Sequence, residues 1–220
     1  MTTPDLERAA LKACETLIKF NVNAAPVIPI PILKRMPGVV CLSFAEMAVR
    51  TGTDRDDVIR MFGSGSQDAV TSLKKIDGKI RYVVAYNQRL PFYMLQRALA
   101  RELGHIVLGH DGSRPDDVRM EEAIMFASHF LCPRPLIMSL RAAGITVTVE
   151  TLGNVTGCYE RCLAGMRITP GIFVPPELNR MIKEQFSDYV RNFVDCQAVL
   201  SGVDTSPVAD FGTFMDNYEE

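Results

Sequence analysis

The sequence predicts an α+β, mainly helical fold with a small antiparallel sheet, on three observations. Apolar residues recur at helical spacing through most of the chain, most clearly at Leu95, Leu99, Leu103 and Ile106. Strand-like patterning with a strong turn is confined to residues 68–86, where Asp77-Gly78 suits a type I′ hairpin. The 220 residues are 47% hydrophobic and 23% charged, with a formal net charge of -2, an ordinary globular balance. That balance gives no electrostatic footprint for nucleic acid or an anionic membrane. No apolar run reads as approaching the roughly 20 residues of a membrane span. The opening Thr2, Thr3, Pro4, Asp5 and Glu7 do not form a secretory signal. Cysteines 14, 41, 132, 158, 162 and 196 contain no CxxC pair and are expected as buried or half-buried thiols. The expected compartment is cytoplasmic.

In chain order, Pro4 to Phe20 is predicted as an amphipathic helix with Leu6, Ala9, Ala10, Ala13, Leu17 and Ile18 on one stripe. Ala25 to Pro31 holds three prolines and is expected to be extended. A short apolar run, Val39 to Leu42, precedes Ser43-Phe-Ala-Glu46, a capping box opening a helix through Arg50. Thr53-Asp54 caps a further turn or two to Phe62, and residues 63–66 form a flexible join. The strands Asp68–Ile76 and Lys79–Tyr86 follow, the second pairing on one side and packing on the next helix. That helix spans roughly Phe92 to Leu108. Another runs from Asp116 or Asp117 to Leu131, and a third from Pro135 to Ala143 with Gly144 beyond its end. Val149–Gly157 and Tyr159–Met166 have a helix-turn-helix outline, but with only Arg161 and Arg167 against Glu160 a packed helical subdomain is the default reading ahead of DNA binding. Pro176 to Val199 is predicted as one long helix, followed by an acidic tail from Gly202.

The chemistry concentrates in Leu99 to His110. In a His-Glu-x-x-His helix the two imidazoles lie one turn apart and grip one Zn²⁺, while the Glu polarises the bound water. Here Glu102 and His105 keep that spacing, but Arg101 stands where the first histidine belongs. Gly104, mid-helix, costs about 1 kcal/mol relative to Ala and implies close packing or an approaching ligand. The following helix brings Glu121-Glu122, placed to supply a carboxylate ligand for a His₂Glu site. His110 falls at the helix end, where a cation meets the terminal dipole, and is read as structural ahead of a substitute ligand. His129 shares a helical face with Glu122, about 10 Å along it, able to line the same cleft without binding the same ion.

Val83-Val-Ala-Tyr-Asn87, Ala98 to His110, Glu122-Ala-Ile-Met-Phe-Ala127 and Leu131-Cys-Pro133 together resemble the ImmA/IrrE family of metallo-endopeptidases, over about residues 68–165. The resemblance implies a zincin-like, mainly helical fold. It also implies a zinc peptidase of bacterial or mobile-element origin that cleaves a helix-turn-helix repressor. Carried over by position, it makes Glu102 the catalytic general base and His105 and Glu122 metal ligands, with Arg101 at the altered ligand position and Ile124 replacing a customary Asn. Glu121, His110 and His129 are possible cleft-lining residues. The implied organisation is an N-terminal region (1–62), a zincin-like core (63–145), a helical C-terminal subdomain (146–200) and an acidic tail (201–220).

Arginine stays protonated and has no lone pair to donate, so weak or absent Zn²⁺ binding and impaired hydrolysis are expected. One expected consequence is a pairing of Arg101 with Glu122 that replaces the metal's charge. A degenerate centre that binds a repressor-like partner, or retains weak hydrolysis, is the first functional reading. An active zinc endopeptidase using a substitute ligand such as His110 is the second, and a DNA-associated regulator the third.

Overall fold

A computed structural model of the chain describes residues 3–61, 68–76, 78–111, 113–157 and 174–202. Strands β1 (Val39–Ser43), β2 (Ala69–Ile76) and β3 (Lys79–Tyr86) form a sheet in the order β1-β3-β2. The expected hairpin is present: β2 and β3 pair antiparallel from Ala69↔Tyr86 to Ile76↔Lys79. Gly78 holds φ +76, the left-handed conformation such a turn needs. β1 adds parallel to the other side of β3, from Val39↔Tyr82 to Ser43↔Tyr86. The sheet is therefore mixed, and β3 is its central strand rather than one paired on a single side. A five-residue apolar run carries no record of its partner, so only the assembled sheet reveals this pairing.

Alternation along the strands sends side chains to two cores. Cys41, Val84 and Tyr86 join the main core, while Leu42, Val83 and Ala85 join a second cluster with Phe44, Met47 and Val58. The second cluster is covered by α3 (Phe44–Thr51) and α4 (Arg55–Met61). The capping box forms as expected: Glu46 N–H donates to Ser43 Oγ (3.1 Å), and Ser43 N–H donates to the Glu46 carboxylate (2.6 Å).

The main core is built by α1 (Leu6–Lys19), α5 (Phe92–Val107) and α6 (Asp116–Leu131). Leu17, Leu99, Leu103, Phe126 and Phe130 are fully buried in it. Gly104 explains how closely α5 and α6 approach. A Cβ at that position would stand 3.1 Å from Phe126 Cδ1 and 3.2 Å from Phe126 Cβ. Around this centre pack α7 (Arg134–Ala142), α8 (Val149–Thr156), α9 (Pro176–Gln185) and α10 (Ser187–Gly202).

Several sequence expectations are corrected. The proline-rich stretch is not extended throughout, because α2 spans Pro29–Arg35. Its prolines fall in the first turn, where the missing N–H groups have no intrahelical acceptor. The long C-terminal helix is broken at Phe186, which is fully buried, while the Gln185 side chain donates to the carbonyls of Leu17 and Val22. Those bonds anchor the end of α9 to the end of α1. The stretch 116–142 is apolar and long enough by composition to cross a membrane, but 72% of its most apolar window is buried within the protein. Its apolarity therefore belongs to the core. Cys14, Cys41 and Cys132 are buried as expected, whereas Cys196 is exposed. The 63–66 join, Asp77, the second half of the helix-turn-helix outline with Cys158 and Cys162, and the acidic tail lie outside the described residues.

Candidate metal centre

The end of α5 brings two histidines together. Leu108 caps the C-terminus of α5, and Gly109 follows with φ +70. Gly109 N–H donates to Ile106 O (3.1 Å) and His110 N–H donates to His105 O (2.9 Å). This pair of bonds is the Schellman motif, which folds the residue after the glycine back over the residue five earlier. Here those two residues are His110 and His105, and their Nδ1 atoms lie 2.8 Å apart. His110 Nε2 in turn lies 2.9 Å from Glu122 Oε2 on α6. The side chains of His110 and Glu122 are 2% and 0% exposed.

Glu122 has two further partners. Arg114 Nη1 donates to both carboxylate oxygens, at 2.7 and 2.8 Å, and Asp5 N–H donates to Oε1 at 2.7 Å. Arg114 also reaches the Thr3 carbonyl (3.2 Å), and Arg8 donates to the Leu108 carbonyl at the end of α5 (3.0 Å). The segment leading into α1 is thereby strapped across the junction of α5 and α6. Burial alone would raise the Glu122 pKa, but the Asp5 N–H, His110 and Arg114 outweigh it and hold the group below the usual carboxylate range.

Protonation follows from this. Burial lowers His110 below its ordinary value, more than Glu122 raises it. Burial, then His110, Arg119 and Arg101, lower His105 to about 4. Both rings are neutral near pH 7. An ionised Glu122 can only accept, so His110 donates through Nε2–H and its Nδ1 carries the lone pair. His105 Nδ1–H must then donate to it. The result is a one-way hydrogen-bonded chain, His105 to His110 to Glu122, closed by the Arg114 cation.

Two imidazoles and a carboxylate are the right donor chemistry for Zn²⁺, but as arranged they do not fit the ion. Two nitrogens 2.1 Å from a tetrahedral centre stand about 3.4 Å apart, whereas the Nδ1 atoms of His105 and His110 are 2.8 Å apart. Both oxygens of Glu122 are taken by a guanidinium. Among the described residues, no group of three or more His, Cys, Asp or Glu is arranged to hold a metal ion.

The remaining sequence-selected residues are placed as follows. Glu102 is 6% exposed and faces β2. Burial raises its pKa to about 7, against the opposing influence of Thr71 and Arg101. Arg101 is half-buried beside Asp68, Met94 and Arg97, with its Nε unpaired among the described residues. Its charge is felt by both Glu102 and His105. The expected pairing of Arg101 with Glu122 is therefore corrected: the arginine on Glu122 is Arg114, carried by the loop between α5 and α6. Chain direction explains the difference, since that loop doubles back over the start of α6 eight residues before Glu122. Glu121 is half-buried beside it. His129 lies at the other end of α6 and lines a separate cavity with α7 and α8.

Sequence reasoning read His110 as structural ahead of a substitute ligand and did not bring it to His105 and Glu122, nor did it find Arg114, Arg119 or the Asp5 backbone. The first had a readable signal, a glycine flanked by histidines at the two positions a Schellman turn apposes. The others reach the centre only through tertiary folding. α8, the described half of the helix-turn-helix outline, carries Glu150 and no basic residue.

Comparison with curated proteins and with solved structures finds no match to the chain. A family model does match: the IrrE N-terminal-like domain, a peptidase family, over residues 59–174, a little over half of the chain. The matched span contains the β2–β3 hairpin, the Glu102–His105 helix and the Glu122 helix whose packing has just been described. The chain belongs to the IrrE N-terminal-like domain family of peptidases.

Proposed function

We propose that this protein keeps the ImmA/IrrE peptidase fold around a centre closed by a guanidinium in place of Zn²⁺, and that it acts by binding a helix-turn-helix transcriptional repressor. The observation that carries this reading is Arg114, which donates to both oxygens of the fully buried Glu122. A positive charge between α5 and α6 satisfies the carboxylate without a metal. Arg101 and Arg119 add cationic character around His105. A divalent ion entering there meets repulsion from three guanidinium groups and the loss of the Glu122 pairing. The repressor as partner rests on family membership, and its recognition in place of cleavage follows from the closed centre.

A second reading has its own support. His105, His110 and Glu122 form a contiguous His₂Glu donor set, with His110 as the substitute for the missing histidine. Under that reading Arg114 leaves Glu122, the two rings separate, and the protein is a working zinc endopeptidase. Elemental analysis of the purified protein separates the two, together with incubation with the helix-turn-helix proteins encoded nearest to it. The first reading expects far less than one Zn²⁺ per chain and a complex formed without cleavage. Stoichiometric Zn²⁺ with chelator-sensitive cleavage overturns it and supports the second.

A further inference from the structure

A second constellation lies at the far end of α6, away from Glu122. A cavity of about 470 Å³ is walled by the last turn of α6, one face of α7 and the residues leading into α8. This is within the range of about 300–1,000 Å³ typical of small-molecule sites. The α7 face follows from helical spacing: Arg134, Met138 and Arg141 succeed one another at intervals of four and three residues and so share one side. Met138, Val147 and Leu152 provide apolar wall. Arg134 and Arg141 are exposed, and neither has a carboxylate partner among the described residues.

The floor holds His129. It is 5% exposed, and its Nε2 is shut off from water with no hydrogen-bond partner among the described residues. In this it differs from His105 and His110, which are bonded to each other. A buried ring nitrogen without a partner is costly, and a ligand oxygen recovers that cost. Burial, and then the charge of Arg134, lower the His129 pKa to about 4, so the ring is a neutral donor or acceptor near pH 7. His129 in the last turn of α6 and Arg134 opening α7 flank the α6–α7 junction, so imidazole and guanidinium lie at the same end of the cavity. Arg141, two turns further along α7, stands about 10 Å away.

We propose that this cavity binds a small amphipathic carboxylate. Its head group is held by Arg134 and, once the His129 ring turns to uncover it, by His129 Nε2, and its apolar body lies along Met138, Val147 and Leu152. The unpaired arginines select a negative charge, and the apolar wall excludes a bare inorganic anion. Arg141 contributes longer-range attraction at the opposite end.

The test is calorimetric titration of the full-length protein with octanoate, with 1-octanol and acetate as controls lacking the charge or the chain. The His129 imidazole resonances are followed in parallel by NMR. Octanoate is expected to bind at least about tenfold more tightly than either control and to shift the His129 signals. Arg134→Gln is expected to weaken octanoate about tenfold, and Arg141→Gln only about twofold, with melting temperatures unchanged because both side chains are exposed. His129→Phe is expected to weaken octanoate about threefold, while Arg134 keeps octanoate ahead of octanol. Equal binding of octanoate and octanol, unmoved His129 resonances, or an Arg134→Gln variant that binds like the wild type would each overturn the proposal.

Discussion

Replacing Arg114 by Met tests the organisation of the centre most directly. The substitution keeps much of the aliphatic length and removes both short bonds to Glu122. Removing one partner of a buried ion pair costs about 3–5 kcal/mol. Two observations reduce that figure here. Arg114 is 29% exposed, so water already screens part of its charge, and Glu122 retains the Asp5 N–H and His110 Nε2. A loss of about 2–3 kcal/mol remains. For a chain of 220 residues this corresponds to a fall in Tm of about 4–12 °C, at about 2–4 °C per kcal/mol. Urea melts should show a lower midpoint with an unchanged slope. Glu122→Gln and the double variant complete a thermodynamic cycle, in which a coupling of about 2 kcal/mol is expected between the two residues. Single effects that add to within about 0.5 kcal/mol would mean that Arg114 does not hold Glu122, and the reasoning about the centre would fail.

Other consequences are equally accessible. Gly104→Val places side-chain atoms against Phe126, which is fully buried and stacked on Phe130 with ring centroids 5.6 Å apart. A destabilisation of about 1–3 kcal/mol is expected in a denaturant melt, and an unchanged midpoint would contradict the close approach of α5 and α6. Glu102 has a pKa of about 7 against an ordinary 4.5. The folded state thus holds its proton more tightly than the unfolded one, and this contribution is present below 4.5 and lost as pH rises through 7. The loss is at most about 3 kcal/mol, so Glu102→Gln should gain stability over the wild type between pH 5 and pH 8 in paired melts. No change in that difference across the range would refute the buried carboxyl. His105 works in the opposite sense: its stabilising neutral form is lost as pH falls from 6.5 towards 4, so His105→Gln should blunt acid unfolding there. Combining Arg101→His with Arg114→Met offers Zn²⁺ a third imidazole and a free carboxylate. Added Zn²⁺ is expected to raise the Tm of that variant and not of the wild type, and the reverse pattern would count for the substitute-ligand reading.

Local signals in the chain were sufficient for the elements that carry their own boundary chemistry. Ser43 and Glu46 announce α3 because both halves of the capping box lie within four residues. The β2–β3 hairpin is written in Asp77-Gly78, and Gly104 implied either close packing or an approaching ligand, of which the structure shows the packing, against Phe126. Spacing drew attention to Glu102 and His105, and the resemblance to Glu122; Glu102 and Glu122 are buried in the fold. Partnerships between distant segments had no such signal. The pairing of β1 with β3, the break at Phe186 and the strap formed by Thr3 and Asp5 each depend on chain segments far apart in sequence. Their energies arise only when packing removes water from groups that a linear pattern leaves equally free to pair elsewhere. Thus the sequence by itself determined that Glu102 and His105 share one helix at a spacing of three, with an arginine four residues before the histidine. Folding in three dimensions decided that Arg114 would neutralise the carboxylate and that His110 would stand between it and His105. A buried charge takes the nearest cation the tertiary fold supplies, and that choice is made by geometry across the loop.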